Sequence, residues 1–465
     1  MYTLSSTIAA VSTPRGKGGI ATIRISGTDA VVVADKMFRA KSGKKLSEYS
    51  ARTSVFGSIV DSDGEICDEG VAVVFRAPAS FTGEDTVEIT CHGGIIVTET
   101  VYLSAIAHGA TAAGPGEFTR RAFLNGKMSL TEAEAVGLLI DADTKERMRL
   151  SSGGIRGNVS REIREISAGM LSTMTALYAA IDYPEEDVGD EGEREIGETL
   201  SASLDKVKKL LSTYKVGKAV ADGVRCVVCG RPNVGKSSLF NVMTGEDTAI
   251  VTSVAGTTRD ILRETVSFGG VTLRLSDTAG LRSSGDTVEK IGIDRAEAEI
   301  ESAELVIAVF DGSESLAKED RELIEKLGKI TAPVIGVINK TDAGYKLTDS
   351  ETDEIGKISH TVVRTSVCGE KTNVKELLSA VEEIFGSGEI DLAADAVIWD
   401  ARQREQLEHA GVALDSALAG LERGDSLDCV CTLVEEAMAA LDETDGRGID
   451  ERIVGEIFSR FCVGK

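Results

Sequence analysis

Three segments near the start of the chain, 22–25, 71–75 and 86–90, are short β-type runs set between glycine-rich turns. Apolar and β-branched residues bounded in this way predict strands, and an α+β domain is expected to about residue 125. From Ser129 the period changes. Ser129 and Glu132 have capping-box spacing, and Ala133, Val136, Leu139 and Ile140 recur at helical intervals. The helical pattern runs to about Tyr214, broken by the acidic segment 183–187. Residues 221–388 then alternate strand and helix in the manner of a doubly wound α/β domain. Beyond Gly388 helices return, with one stripe at Leu407, Ala410, Leu414 and Leu418. A second stripe runs through Val430, Leu433, Val434, Ala437, Met438 and Leu441. Neither helical half makes a convincing domain alone. The expectation is a multidomain α/β and α+β protein. Residues 1–125 form the first domain, 126–220 and 389–465 two parts of one discontinuous helical bundle, and 221–388 an insertion between them.

Within 221–388 three short sequences stand in a fixed order. The first, Gly230-Arg231-Pro232-Asn233-Val234-Gly235-Lys236-Ser237, fits the phosphate-loop pattern. It follows an apolar strand at 224–229 and opens, through Ser238, into a helix. In that context its backbone N–H groups and the helix N-terminus face phosphates. Lys236 reaches the β- and γ-phosphates, and the Ser237 hydroxyl is a Mg²⁺ ligand. The second is Asp277-Thr278-Ala279-Gly280, at the end of the strand 271–276. Asp277 suits Mg²⁺ held through water, and Gly280 offers a backbone N–H beside a γ-phosphate. The third, Asn339-Lys340-Thr341-Asp342, follows the buried-strand pattern 333–338. The Asp342 carboxylate can accept from guanine N1–H and the 2-amino group together, which adenine cannot supply, while the Lys340 stem lies along the base face. Ser366, Val367 and Cys368 are a weaker signal for a backbone contact to guanine O6. The three motifs together describe a P-loop GTPase domain that binds GTP.

The stretch between the first two motifs contains Thr252, Ser253, Val254, Ala255, Gly256, Thr257 and Thr258, which suits a switch loop around the nucleotide. Thr258 is its natural Mg²⁺ ligand. Small GTPases place a Gln after the second motif to orient water, but here the residue is Leu281. Glu289 lies within reach on a polar stretch, although by spacing alone it reads as a solvated helix-start residue. No arginine finger is evident. A monovalent cation held by loop carbonyls and the Asn233 side chain could neutralise the same charge.

With 465 residues, 42% of them hydrophobic, and a mean hydropathy near zero, a soluble globular protein of two to four domains is expected. No run of apolar residues is long enough for a transmembrane helix, and the first residues lack the basic region of a signal peptide. The net charge of −25 argues against indiscriminate nucleic-acid binding. It leaves room for local basic patches, such as Lys145, Arg147, Arg149, Arg156, Arg161 and Arg164, although interleaved Glu146, Glu162 and Glu165 favour a solvated helix face there. The eight cysteines form no disulfide framework, and Cys226 and Cys229 read as core packing rather than redox or metal chemistry. A reducing cytoplasm fits.

Over essentially its whole length the chain resembles the MnmE (TrmE) family of tRNA-modification GTPases. Besides the three motifs, the resemblance rests on 80–85, 115–119, 121–127 and the terminal Phe461-Cys462-Val463-Gly464-Lys465. It implies an N-terminal domain that binds a tetrahydrofolate derivative, in the 5,10-methylene or 5-formyl form, and mediates homodimerisation. Arg24, Glu88, Lys127 and Lys465 would contact that folate by motif position. It also implies K⁺ held by Asn233 and by the carbonyls of Thr252, Val254 and Thr257, with Glu289 as the residue that positions water. The family acts with an FAD-dependent MnmG-type partner in a heterotetramer or larger complex. Together they add an aminomethyl-type group to C5 of the wobble uridine of tRNA. Two positions depart from the family pattern, Gly114 where Arg is common and Cys91 where Gly is common. Cys462, with apolar neighbours, is expected to be packed. The rival reading is a regulatory or ribosome-assembly GTPase switch, which would need neither the folate-type domain nor the terminal motif.

Overall fold

The computed structural model describes residues 6–182, 189–244, 263–277, 298–367 and 374–464. They fall into two compact units, Met1–Gly137 with Asp445–Lys465, and Leu138–Thr444. Among the described residues no helix is long and apolar enough to cross a membrane.

The first unit is built on a seven-stranded sheet. Its strands are β1 (Ile8–Val11), β2 (Ile20–Ser26), β3 (Phe38–Ala40), β4 (Ser54–Val60), β5 (Ile66–Phe75), β6 (Thr86–His92) and β7 (Thr111–Ala112), in the order β3-β4-β5-β6-β2-β1-β7. All pairings are antiparallel except β1 with β7. The three expected strands are present as β2, β5 and β6. Alternation along the pleat sorts their side chains. Ile23, Ile25, Val87 and Ile89 enter the main core with Ala34 and Val101, from the helices Ala30–Met37 and Ile95–Ala107. Arg24 and Glu88, directly opposite each other in the register, fall on the other face.

The end of the chain belongs to this unit. Val454 and Phe458 of the helix Glu451–Ser459 pack on Leu130 and Ala133, whose helix starts with the expected reciprocal Ser129–Glu132 cap. Val463 then bridges Pro115, Gly116 N–H donates to the Cys462 carbonyl, and Ser12 donates to the Gly464 carbonyl. Gly464 has φ +98°, and a Cβ there would strike the Val11 carbonyl. These are backbone attachments, so side chains near the end need not be buried. Cys462 is exposed, contrary to the packed position expected from its apolar neighbours.

Arg121 is the largest fully buried side chain of the unit, at 2% exposure. Its guanidinium donates to the Ser6 carbonyl, to both Glu84 oxygens at 3.1 Å and to Glu117 at 2.9 Å. Glu84 also accepts from Ser26, and Glu117 from Gly114 N–H. One cation thus compensates two largely buried carboxylates.

In the second unit, the helices Asn158–Asp182, Gly189–Ala221, Ala401–Arg423 and Leu427–Asp445 share one core. Leu407, Ala410, Leu414, Val430, Val434, Ala437 and Leu441 lie inside it, with Ile163, Ile166, Leu200 and Val207 opposite. Between these halves in the sequence, the chain forms a six-stranded sheet of β8 (Val224–Cys229), β9 (Arg263–Phe268), β10 (Val271–Asp277), β11 (Leu305–Asp311), β12 (Val334–Asn339) and β13 (Thr361–Arg364). Its order is β13-β12-β11-β8-β10-β9, parallel except for the β9–β10 hairpin. β11 and β12 are buried along their whole length, as expected for central parallel strands.

Replacing Arg121 by Met would leave Glu84 and Glu117 without their shared cation in a largely dry setting. Arg121→Met should cost the first unit about 3–5 kcal/mol of stability. Calorimetric unfolding of the full chain checks this as a lowered transition for that unit; an unchanged thermogram would show that the network is not needed.

Candidate functional site

The phosphate-loop segment leaves the C-terminal end of β8 and closes into the helix Lys236–Met243. Its turns need residues that tolerate positive φ: Gly230 at +148°, Asn233 at +65° and Gly235 at +102°. A Cβ on Gly230 would strike the Val309 carbonyl, and one on Gly235 would strike Asn339 Nδ2. Lys236 is nearly buried and reaches back across the loop, its Nζ donating to the carbonyls of Gly230 at 2.9 Å and Arg231 at 2.8 Å. The ammonium is therefore held against the loop backbone by two carbonyl oxygens. Ser237, Ser238 and Asn233 are exposed, and Val234 is buried.

Asn339 ends β12 and is 2% exposed. Its Nδ2 donates to the Val234 carbonyl at 2.8 Å and its Oδ1 accepts from Val367 N–H at 3.2 Å. The phosphate loop and the segment after β13 are thus joined through one side chain. Lys340 follows in the left-handed region, φ +60°, and its Nζ donates to Asp311 at 2.6 Å. Asp342 is exposed in the turn Thr341–Ala343, and Thr341 donates to the Thr365 carbonyl beside half-buried Ser366. These groups stand beyond the C-terminal ends of parallel strands, where open α/β sheets bind ligands. The backbone of Asp277 ends β10, in register with Val228 of β8. Thr252, Ser253, Val254, Ala255, Gly256, Thr257, Thr258, Thr278, Ala279, Gly280, Leu281, Glu289 and Cys368 lie outside the described residues. So does the acidic segment 183–187.

The residues at hand fit a nucleotide phosphate chain. A glycine cradle with no room for Cβ, a held ammonium and a helix N-terminus converge at one loop. Cys226 and Cys229 behind it are buried, and burial pushes the Cys229 thiol up to about 12 and the Cys226 thiol higher. Neither is a thiolate near neutral pH, as core packing requires. Among the described residues no cluster of His, Cys, Asp or Glu suits a metal ion.

In the first unit Arg24 and Glu88 meet as an ion pair at 2.8 Å. The Arg24 guanidinium also lies over the rings of Phe81, 5.4 Å from the centroid, and Phe118, 5.6 Å from it. Lys127 donates to the Pro78 carbonyl and Asn125 to the Thr82 carbonyl, so both grip the loop that carries Phe81. Lys465 lies outside the described residues, but Gly464 before it is fixed against Val11 and Ser12. Phe118 is fully buried, a core support beneath Arg24, while Phe81 is exposed; a cation, a carboxylate and one exposed aromatic ring suit a ligand with both a flat heterocycle and carboxylates. Spacing does not single out Phe81 as a site residue, because its place beside Arg24 is set by a tertiary contact across distant sequence.

The N-terminal family model described as GTP-binding protein TrmE N-terminus matches residues 7–127, and the MnmE helical domain model matches 130–462. The tRNA modification GTPase MnmE of Geobacillus kaustophilus (strain HTA426) is 40% identical over 461 residues, 99% of each chain. The chain belongs to the MnmE family. The protein of the same description from Bacillus subtilis (strain 168) is 38% identical over 461 residues, 99% of this chain and 100% of that one. Among solved structures, the G domain of the T. maritima FeoB iron transporter is 27% identical, with 34% of this chain and 97% of that one covered at a TM-score of 0.25. In this MnmE-family chain the two departures noted above are accommodated without charge. Gly114 serves through its N–H to Glu117, and Cys91 is a core residue whose thiol burial pushes up to about 11.

Proposed function

We propose that the chain is a K⁺-dependent GTPase that works with an FAD-dependent partner on tRNA. The pair adds an aminomethyl-type group to C5 of the wobble uridine, with a tetrahydrofolate derivative as one-carbon carrier. The observation that carries the GTPase part is the joining of phosphate loop and base loop through Asn339, in a chain similar over its full length to proteins named tRNA modification GTPase MnmE. The proposed domain division is 1–125 for folate binding and homodimerisation, 126–220 with 389–465 for the bundle, and 221–388 for the GTPase, with 126–137 and 445–465 packed as part of the first compact unit rather than in the bundle core.

In this reading Lys236 and the loop amides hold the β- and γ-phosphates, and Asp342 accepts from guanine N1–H and the 2-amino group. Mg²⁺, at Ser237 and Thr258, supplies charge neutralisation between the phosphates when bound. Asn233, with the carbonyls of Thr252, Val254 and Thr257, forms the K⁺ site. Leu281 has no polar group with which to orient water, so Glu289 holds it, through a bridging water because a carboxylate beside the γ-phosphate would be repelled. Arg24, Glu88, Lys127 and Lys465 form the folate site. The Arg24 cation lies over the exposed ring of Phe81, which favours a ligand carrying both ring and acid.

Three outcomes test these parts separately. Asp342→Asn should weaken GTP binding by roughly 100-fold and favour xanthosine nucleotides, whose 2-oxo group accepts from the amide. Unchanged GTP affinity in equilibrium titrations would refute the guanine site.

Calorimetry of the full chain with 5-formyltetrahydrofolate should give a binding isotherm, and Arg24→Ala should weaken it by about 1.5–3 kcal/mol. Absence of any folate heat would favour the assembly-switch reading.

Turnover in K⁺ should exceed turnover in Na⁺, which is too small for fixed carbonyls to enclose. Glu289→Ala should lower kcat by roughly 10²–10⁴ while GTP affinity holds, the pattern of a group acting in the transition state. Equal rates in the two salts, or a fully active Glu289→Ala, would remove this mechanism.

A further inference from the structure

Arg231, second in the phosphate loop, is turned into a cluster of acids that belongs to neither nucleotide motif. Its Nε lies 3.2 Å from Asp320, its Nη2 donates to Glu314 at 2.7 Å, and Asp311 Oδ2 is 4.0 Å away. The same Asp311 oxygen accepts from Lys340 Nζ at 2.6 Å, while Oδ1 accepts from the backbone N–H and the hydroxyl of Ser313. Asp311 ends β11 and is paired in register with Asn339 of β12. It is 6% exposed, so this is no solvated surface pair. Burial would raise its pKa, but the bonds from Lys340 and Ser313 outweigh that and hold it below the usual carboxylate range. Asp320 has the opposite balance, with burial raising its pKa above the usual range. Asp311 thus lies between two cations, one from each nucleotide loop, Lys340 at 2.6 Å and Arg231 at 4.0 Å.

The ammonium of Lys340 is pinned back to the neighbouring strand, so its stem must cross from the end of β12 to the end of β11. That path lies along the strand ends where an open α/β sheet receives its ligand. A lysine stem otherwise samples many rotamers, and ordering it only when a base arrives would cost affinity.

We propose that Asp311 is a positioning residue of the guanine subsite. It holds the Lys340 stem out as the shelf on which the base face rests, and through Arg231 it joins that shelf to the phosphate loop. The proposal rests on the GTPase reading above and deepens it. Asp311 touches no nucleotide itself, and the shelf recognises a flat purine face rather than any one hydrogen bond. Base identity is left to Asp342.

The test is stopped-flow and equilibrium binding of fluorescent GDP and IDP to the full chain. Asp311→Asn keeps the shape and drops the charge. It should weaken GDP and IDP by the same factor, about tenfold, mostly through faster dissociation, with the guanine-over-inosine ratio unchanged. Lys340→Met keeps a stem and drops the ammonium, so it should show the same loss, and the double variant no more than either alone. Asp311→Glu, which returns a carboxylate to the ammonium, should recover part of the affinity. GDP binding by Asp311→Asn or Lys340→Met like that of the unmodified protein would overturn the proposal alone. Additive losses in the double variant, or a changed guanine-over-inosine ratio, would do the same. Failure of the unmodified protein to bind GDP would instead overturn the GTPase reading, and this proposal with it.

Discussion

A buried carboxamide cannot leave its groups unpaired without a cost of about 1–3 kcal/mol each, and Asn339 has committed both ends of its amide to backbone. Its N–H₂ end takes the Val234 carbonyl and its oxygen takes Val367 N–H. The consequences spread outward from this pair of bonds. Gly235 must be glycine, since a Cβ would occupy the space of the Asn339 amide. With Val234 fixed, the following helix starts at Lys236 and its N–H groups face one point. With Val367 fixed, the segment after β13 is held beside the turn that carries Asp342. Two loops more than a hundred residues apart in the chain thus share one origin, and a ligand with a phosphate tail and a base at the matching separation meets both without reordering either.

The first unit places chemistry by another route, side chain against side chain on a pleated sheet. β2 and β6 pair so that Arg24 and Glu88 are directly opposite. Their neighbours in each strand point into the core, which forbids a slip of one residue, because a slip of either strand would bury its charge and expose its apolar residues. The register is therefore fixed by Ile23, Ile25, Val87 and Ile89, and the charged pair is fixed with it. Arg121 does similar duty at depth, tying the loop containing Glu84 to the helix Glu117–Leu124, which supplies Phe118. Side-chain placement here depends on a sheet register and a buried ion network, whereas the phosphate loop depends on backbone N–H groups and glycine.

That difference explains what could be read along the chain. Phosphate-loop chemistry is local, so its glycines, Lys236 and Ser237 stand at fixed spacing and declare themselves. Helical stripes such as Leu407, Ala410 and Leu414 are local too, and they are buried as their period implies. What spacing could not show is any partner set by tertiary pairing. Glu88 reads as a strand-edge charge until β6 is laid against β2. Phe81 and Phe118 read as ordinary apolar residues until Arg24 is found over both rings. Cys462 is exposed despite its apolar neighbours, because the final residues are held by their backbone and not by side-chain burial. Asp311 carries a faint signal, an acid at the C-terminal end of a wholly apolar strand, where a charge has to be explained by a ligand or a partner.

The inserted α/β part also shows why a helical bundle tolerates being cut open. The helix Gly189–Ala221 leads into β8 across Asp222 and Gly223, and the returning chain comes back beside it. Ile398 N–H donates to Thr213 Oγ1, and Gly217 lies so near the Ile398 carbonyl that a Cβ would clash with it. Lys215 donates to the carbonyl of Ile384 at the end of the helix Lys375–Phe385 and lies 5.7 Å from the Phe385 ring centroid. Outgoing and returning strands of chain are therefore held together at one helix end, and the insertion closes there like a long loop on a packed base. A second fastening lies at the β9–β10 hairpin. Thr272 shares a buried hydroxyl contact with Thr144, while Ser387 donates to the carbonyl of Gly269 in the turn. In the sequence, that hairpin lies between the two stretches 252–258 and 278–280 that carry the switch-type motifs. The sheet is consequently anchored to helices at the chain crossing and at the hairpin, while the strand ends bearing Asn339, Lys340 and Asp311 are left to the ligand.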